Sequence, residues 1–162
     1  MKVLGIDPGI ARTGWGIVEQ KDGNLKTIAF DCFQTDAKEE TSERLNKIHA
    51  HIRKLIKLYS PDIVAVEELF FNTNTKTAFV VGQARGVVLL AAAQEKIKNI
   101  SYTPLQVKIA LTGYGRAEKN QVGQMVKILL SLKVIPKPDD AADALAIAIT
   151  HAFSNKFNRN TK

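Results

Sequence analysis

Apolar residues come first in short runs and then at helical intervals. Residues 2–7 (KVLGID) form an apolar run that Pro8 closes, because a proline ring disfavours the helical region for the residue before it. Residues 13–19 (TGWGIVE) and 25–34 (LKTIAFDCFQ) read as two more strands, joined by a KDGN hairpin turn. Strands linked by such short turns predict an antiparallel meander. Over 41–59 the period changes: Leu45, Ile48, Ile52, Leu55, Ile56 and Tyr59 share one helical face, and Ser60-Pro61 stops the helix. Residues 62–67 (DIVAVE) read as a buried strand, and a helix between two strands predicts a parallel crossover. Residues 76–96 predict a helix that is apolar nearly all round. In it Ala78, Gly82 and Gly86 stand one turn apart, which permits close approach of another helix. A central core helix and a dimer seam both fit that stripe. A short strand at 98–103 and helices at 104–111, 118–132 and 139–154 complete the pattern, with Asp139 as N-cap of the last. The expected fold is α/β: a mixed five-stranded sheet, three antiparallel meander strands plus two parallel ones, flanked by helices. Such a sheet sets the end of the first strand beside the end of the fourth. Residues 1–155 read as a single domain and 156–162 as a basic, flexible tail.

Composition narrows the partners. A chain of 162 residues with 45% apolar content can bury a core without covalent staples. The single Cys32 excludes an internal disulfide and a cysteine-rich zinc site, fits a cytoplasmic location, and reads as a core or half-buried thiol. No signal peptide is visible, and the apolar stretch from Val80 to Ala93, broken by Gln83 and Arg85, is too short to cross a membrane. The net charge of +7 favours an anionic partner, nucleic acid first among them.

Against that charge, acidic residues collect at three places. Asp7 ends the first strand, Glu67 and Glu68 end the fourth, and Asp139, Asp140 and Asp143 open the last helix. Side chains alternate along a strand, so only one of Glu67 and Glu68 faces the site. Asp143 shares a helix face with Asp140, but spacing equally allows Asp139. Close carboxylates repel one another unless a cation neutralises them. Hard oxygen ligands without a Cys or His pattern select magnesium, with manganese as a substitute, and two such ions suit phosphodiester hydrolysis. Phe70 and Phe71 follow directly. They read as core residues, or as one core residue and one that stacks on an unpaired base. The 72–76 segment, ending in Lys76, offers hydroxyls, amides and a cation to phosphates. Arg12 and Arg116 are further candidate DNA contacts. His49, His51 and His151 show no ligand pairing and read as surface or packing residues.

These residues resemble the RuvC family of crossover junction endodeoxyribonucleases, which resolve Holliday junctions. The motifs are GIDPG at 5–9 followed by TGWG, AVEELFF at 65–71, QVK at 106–108, AEKNQV at 117–122 and DDAADALAIAITH at 139–151, so the likeness runs from Met1 to about Phe153. It implies a ribonuclease-H-like fold, a homodimer whose candidate seam is the helix of Gly82 and Gly86, and magnesium-dependent nicking of two strands of like polarity. It implies catalytic, metal-holding acids at Asp7, Glu67, Asp140 and Asp143, choosing Glu67 over Glu68 and Asp140 over Asp139. It favours Phe70 for DNA, places Lys108 and Lys119 on phosphates near the cut, and suggests cooperation with the junction-binding protein RuvA and the motor RuvB. Tyr114 and Arg116 depart slightly from the family pattern, in a loop that affects DNA contacts and leaves the acids untouched. Three rivals stand beside this reading. One lobe of an actin-like kinase would need a second phosphate loop that the chain lacks. A catalytically silent junction-binding module would not need four acids. Another ribonuclease-H-like nuclease would share the fold.

Overall fold

The computed structural model describes residues 1–68 and 75–159, apart from the side chains at 75–77 and 155–159. Strands β1 (Lys2–Asp7), β2 (Arg12–Lys21) and β3 (Asn24–Gln34) precede helix α1 (Thr41–Tyr59), strand β4 (Ile63–Glu67), helix α2 (Thr75–Gln94) and strand β5 (Lys98–Tyr102). Helices α3 (Pro104–Thr112), α4 (Lys119–Leu129) and α5 (Asp139–Arg159) follow. The sheet order is β3-β2-β1-β4-β5. Its first three strands are antiparallel, and β4 and β5 run parallel to β1, as the alternation of elements predicts.

Local chemistry sets the element ends. Asp22 and Gly23 both adopt positive φ, the conformation a two-residue hairpin turn needs. Thr103 and Gln106 form a reciprocal capping box at the start of α3, with Pro104 in its first turn. Glu118 and Gln121 do the same for α4, so Glu118 caps that helix rather than belonging to it. Ser131, with φ at 52°, closes the chain after α4 ahead of the predicted end at 132. The predicted cap at Asp139 is corrected. The backbone N–H of Ala141 donates to the carbonyl of Pro138 at 3.0 Å, which makes Asp139 the first helical residue. Its carboxylate turns instead to Lys137 Nζ at 2.8 Å. At its far end α5 runs to Arg159, so residues 156–159 of the expected tail continue the helix.

Strand alternation sends alternate residues into two separate cores. Leu4, Ile6, Val64 and Val66 face α1 and α2 and join Ile52, Val88 and Ala91. Val3, Ile63 and Ala65 face α5 and join Leu145, Ile147 and Ile149. Helix α5 is buried from Ala141 to Ala152 except at Asp143. It reaches the sheet closely because glycines lie beneath it. A Cβ added at Gly14 would stand 1.9 Å from the carbonyl oxygen of Asp140, and one at Gly5 would stand 2.1 Å from that of Ala144. Helix α2 divides differently. Ala84, Val88, Ala91 and Ala92 are buried, while Phe79 and Leu90 are exposed and a Cβ at Gly86 would meet nothing within 4 Å. The small-residue stripe is therefore exposed at Gly86 and partly buried at Ala78 and Gly82.

Gly14→Ala forces backbone apart at the α5–sheet contact. It is expected to lower unfolding free energy by about 1–3 kcal/mol, the range for overpacking. Urea denaturation measures this, and an unchanged midpoint would refute the close approach.

Candidate active site

Asp7 is the last residue of β1, partly buried on the face that carries Val3 and Gly5 towards α5. The turn behind it is tight: Thr13 Oγ1 donates to the carbonyl of Gly9 at 2.7 Å. Parallel pairing aligns Ile6 with Val66, which brings Glu67 alongside Asp7 at corresponding strand ends. Because Ala65 points to the α5 core and Val66 to the opposite one, Glu67 takes the α5 face. Glu68 is exposed. The α5 helix then supplies Asp140 and Asp143 above the same strand ends. Asp139 lies further out, with its side chain 53% exposed and paired with Lys137.

Burial and mutual repulsion dominate the electrostatics. The Asp7 carboxyl is pushed up to about 8, first by loss of hydration and then by the charges of Glu67, Asp143 and Asp140; Lys119 opposes the shift. Glu67 is raised by burial and by Asp143. Asp143 is raised by burial, against the pull of Lys119. Two cations enter from opposite sides. Arg12 Nε lies 3.2 Å from Asp140 Oδ2, and Lys119 Nζ lies 2.8 Å from Asp143 Oδ2. Lys108 and Lys119 share one cleft with Glu67 and Asp143, and Val107 and Ile147 form apolar walls. Among the described residues no three acidic, histidine or cysteine side chains converge as a ready-made ion cage. The donor set is nonetheless that of a hard divalent cation, and a carboxyl raised by burial and by neighbouring acids is the group such a cation would relieve.

The other sequence candidates fall as follows. Arg116 is exposed in the loop leading to Lys119. Phe70 and the side chain of Lys76 lie outside the described residues. Cys32 is half-buried, as expected. The histidines are engaged in packing and local bonds: His51 stacks on Phe33 at 4.3 Å, His151 Nδ1 lies 2.8 Å from the Tyr102 hydroxyl, and His49 meets Gln94. One residue was missed. Arg85 of α2 donates from Nε to the carbonyl of Glu67 at 3.2 Å and from Nη2 to Ser101 Oγ at 2.6 Å, tying the end of β4 to β5. Its only signal in the sequence was an arginine inside an apolar helix.

A mixed sheet of this order, with carboxylates at two adjoining strand ends and at the start of a buried helix, defines a ribonuclease-H-like nuclease fold. The family model for crossover junction endodeoxyribonuclease RuvC matches residues 3–151, and the chain belongs to that family. A crossover junction endodeoxyribonuclease RuvC from Caldanaerobacter subterraneus subsp. tengcongensis is 54% identical over 155 residues, covering 96% of this chain and 94% of its own length. The Thermus thermophilus RuvC structure superposes with a TM-score of 0.90 at 42% identity, covering 98% of this chain and 97% of its own. T. thermophilus RuvC in complex with Holliday junction substrate gives a TM-score of 0.89 at 39% identity, with 97% and 96% covered.

A raised carboxyl pKa contributes stability below the unfolded value of 3.8, and that contribution is lost as pH rises to about 8. In chelator, the melting temperature of Asp7→Asn minus that of wild type is therefore expected to grow between about pH 4 and pH 8. A flat difference would refute the burial of this charge.

Proposed function

We propose that Asp7, Glu67, Asp140 and Asp143 form the hydrolytic centre with which this crossover junction endodeoxyribonuclease resolves Holliday junctions in DNA recombination and repair. The observation that carries the reading is the meeting of Asp7 and Glu67 at adjoining strand ends with Asp140 and Asp143 of α5, where burial first and the neighbouring acids second hold the Asp7 carboxyl above its ordinary range. Membership of a metal-dependent nuclease family points to a divalent cation. Magnesium is the ion proposed, with manganese as substitute and two ions per centre, because all four side chains offer hard oxygen. The chemistry that bound magnesium supplies is activation of a water and stabilisation of the leaving oxygen.

The chain's own groups do the rest. Carboxylates on β1 and β4 face those on α5, so the ligands are fixed by rigid elements. Asp7, Glu67, Asp140 and Asp143 would hold the ion, which would favour the ionised form of the Asp7 carboxyl. Lys119 and Lys108 border the cleft and are proposed to hold the phosphates around the cut and offset the charge that develops there. Arg12 and Arg116 extend the basic rim, and Phe70 and Lys76 are proposed as further DNA contacts. Val107 and Ile147 keep one wall of the cleft dry. The domain is proposed to span 1–155. No described helix is long and apolar enough to cross a membrane, and the proposed location is the cytoplasm.

A two-fold dimer presents two equivalent centres to two strands of like polarity, which suits a four-way junction. The exposed face of α2, with Phe79, Gly86 and Leu90, supports the proposed seam along Gly82 and Gly86. Cooperation with RuvA and RuvB is proposed from the family.

Cleavage of a synthetic four-way junction, with linear duplex as control and with or without magnesium, tests the activity. Wild type is expected to cut the junction only with the ion, and Asp7→Asn to bind it without cutting. Equal cutting of both DNAs, or retained cutting by Asp7→Asn, would overturn the reading. Tight junction binding without cutting by wild type would favour the silent module. For the dimer, Gly86→Arg adds bulk where the chain itself leaves open space. It is expected to leave the far-ultraviolet circular dichroism of the fold intact while converting dimer to monomer in sedimentation. A wild-type monomer would remove the seam.

A further inference from the structure

We propose that Lys119 and Arg12 are tethered stand-ins for the divalent cation: each neutralises one α5 carboxylate and has to be displaced before the ion can load. This rests on the reading that Asp140 and Asp143 are ion ligands. Lys119, the first residue of α4, holds Asp143 at 2.8 Å, and Arg12, the first residue of β2, holds Asp140 at 3.2 Å. The cations are the movable partners. The side chains of Arg12 and Lys119 are 49% and 62% exposed, against 28% and 33% for Asp140 and Asp143. The acids also sit on a helix pinned to the sheet through Gly14.

The Oδ2 oxygens that these cations hold are also oxygens an ion would take, and an ion at about 2.1 Å from either would compete with the ammonium or guanidinium for it. Where it stands, Lys119 Nζ also lies 3.9 Å from Asp139 Oδ2, while Lys137 Nζ holds Asp139 Oδ1 at 2.8 Å. The Oδ2 of Asp139 is thus a nearby seat for a displaced Lys119.

Manganese binding to the full-length protein without DNA, followed by electron paramagnetic resonance, tests this independently of cutting. Lys119→Met is expected to bind manganese about fivefold more tightly than wild type, the scale of one partly exposed ion pair. Lys119→Arg, which keeps the charge and the reach, is expected to stay near wild type. Lys127→Met removes the same charge two helical turns along α4 from Lys119 and is expected to change affinity much less. Unchanged or weaker binding by Lys119→Met would overturn the proposal, as would equal tightening by Lys127→Met, which would trace the effect to net charge. Asp7→Asn separates the two readings. If it binds as wild type does, the metal centre itself is wrongly placed. If it weakens binding while Lys119→Met has no effect, the centre stands and the displacement step falls.

Discussion

Helix α5 can lie against the sheet only because β1 and β2 carry glycines beneath it. At Gly14 and Gly5 any side chain would run into the carbonyls of Asp140 and Ala144. Alanines on the helix face, among them Ala141, Ala144 and Ala148, complete the close contact. Helix and strand backbones that touch leave no room for a layer of side chains between them. The carboxylates at the first turn of α5 are thereby lowered to the height of the strand ends that carry Asp7 and Glu67. A helix one side-chain layer further away would bury as much apolar surface and still leave the acids out of reach of one another. Close packing of small residues is thus a condition of the site as well as of the core.

Gathering four acids in a partly buried place costs stability, and the fold offsets that cost in two ways. Asp7, Glu67 and Asp143 respond by holding their protons more tightly than free carboxyls do. Arg12 and Lys119 respond by leaning in from β2 and α4. Lys119 also lines the cleft. A protein with a net charge of +7 therefore keeps its concentrated negative charge under control with cations placed beside it. The other face of the sheet is free of this conflict. There α1 and α2 pack conventionally against Leu4, Ile6 and Val66, and the outward side of α2 stays available to a partner.

Much of this was legible in the sequence, because apolar periodicity and turn chemistry are local. The hairpin at Asp22-Gly23, the stop at Ser60 and α1 over Thr41–Tyr59 all follow from residue type alone. Helix ends were less legible. Glu118 looked helical yet caps α4, and Asp139 looked like a cap yet is helical, since Pro138 supplies the carbonyl that opens α5. Arg85 stands out in the sequence only as a charge inside an apolar helix, with no sign of its role. Its partners are a backbone carbonyl and a hydroxyl on two other elements, and no spacing along the chain encodes that meeting.

By itself the sequence determined the order and type of the elements, the parallel and antiparallel pairing, and the presence of acids at strand ends and a helix start. Its motifs also pointed to the family. Three-dimensional packing decided which acids meet. Glu67 and Glu68 are chemically alike, and only the side of β4 that α5 covers separates them. Asp139 and Asp140 are adjacent on one helix, and only the contact at Gly14, together with Arg12 on one side and Lys137 on the other, distinguishes them. Local sequence sets the period of side chains along an element, whereas the rotation and depth of that element are set by what it packs against.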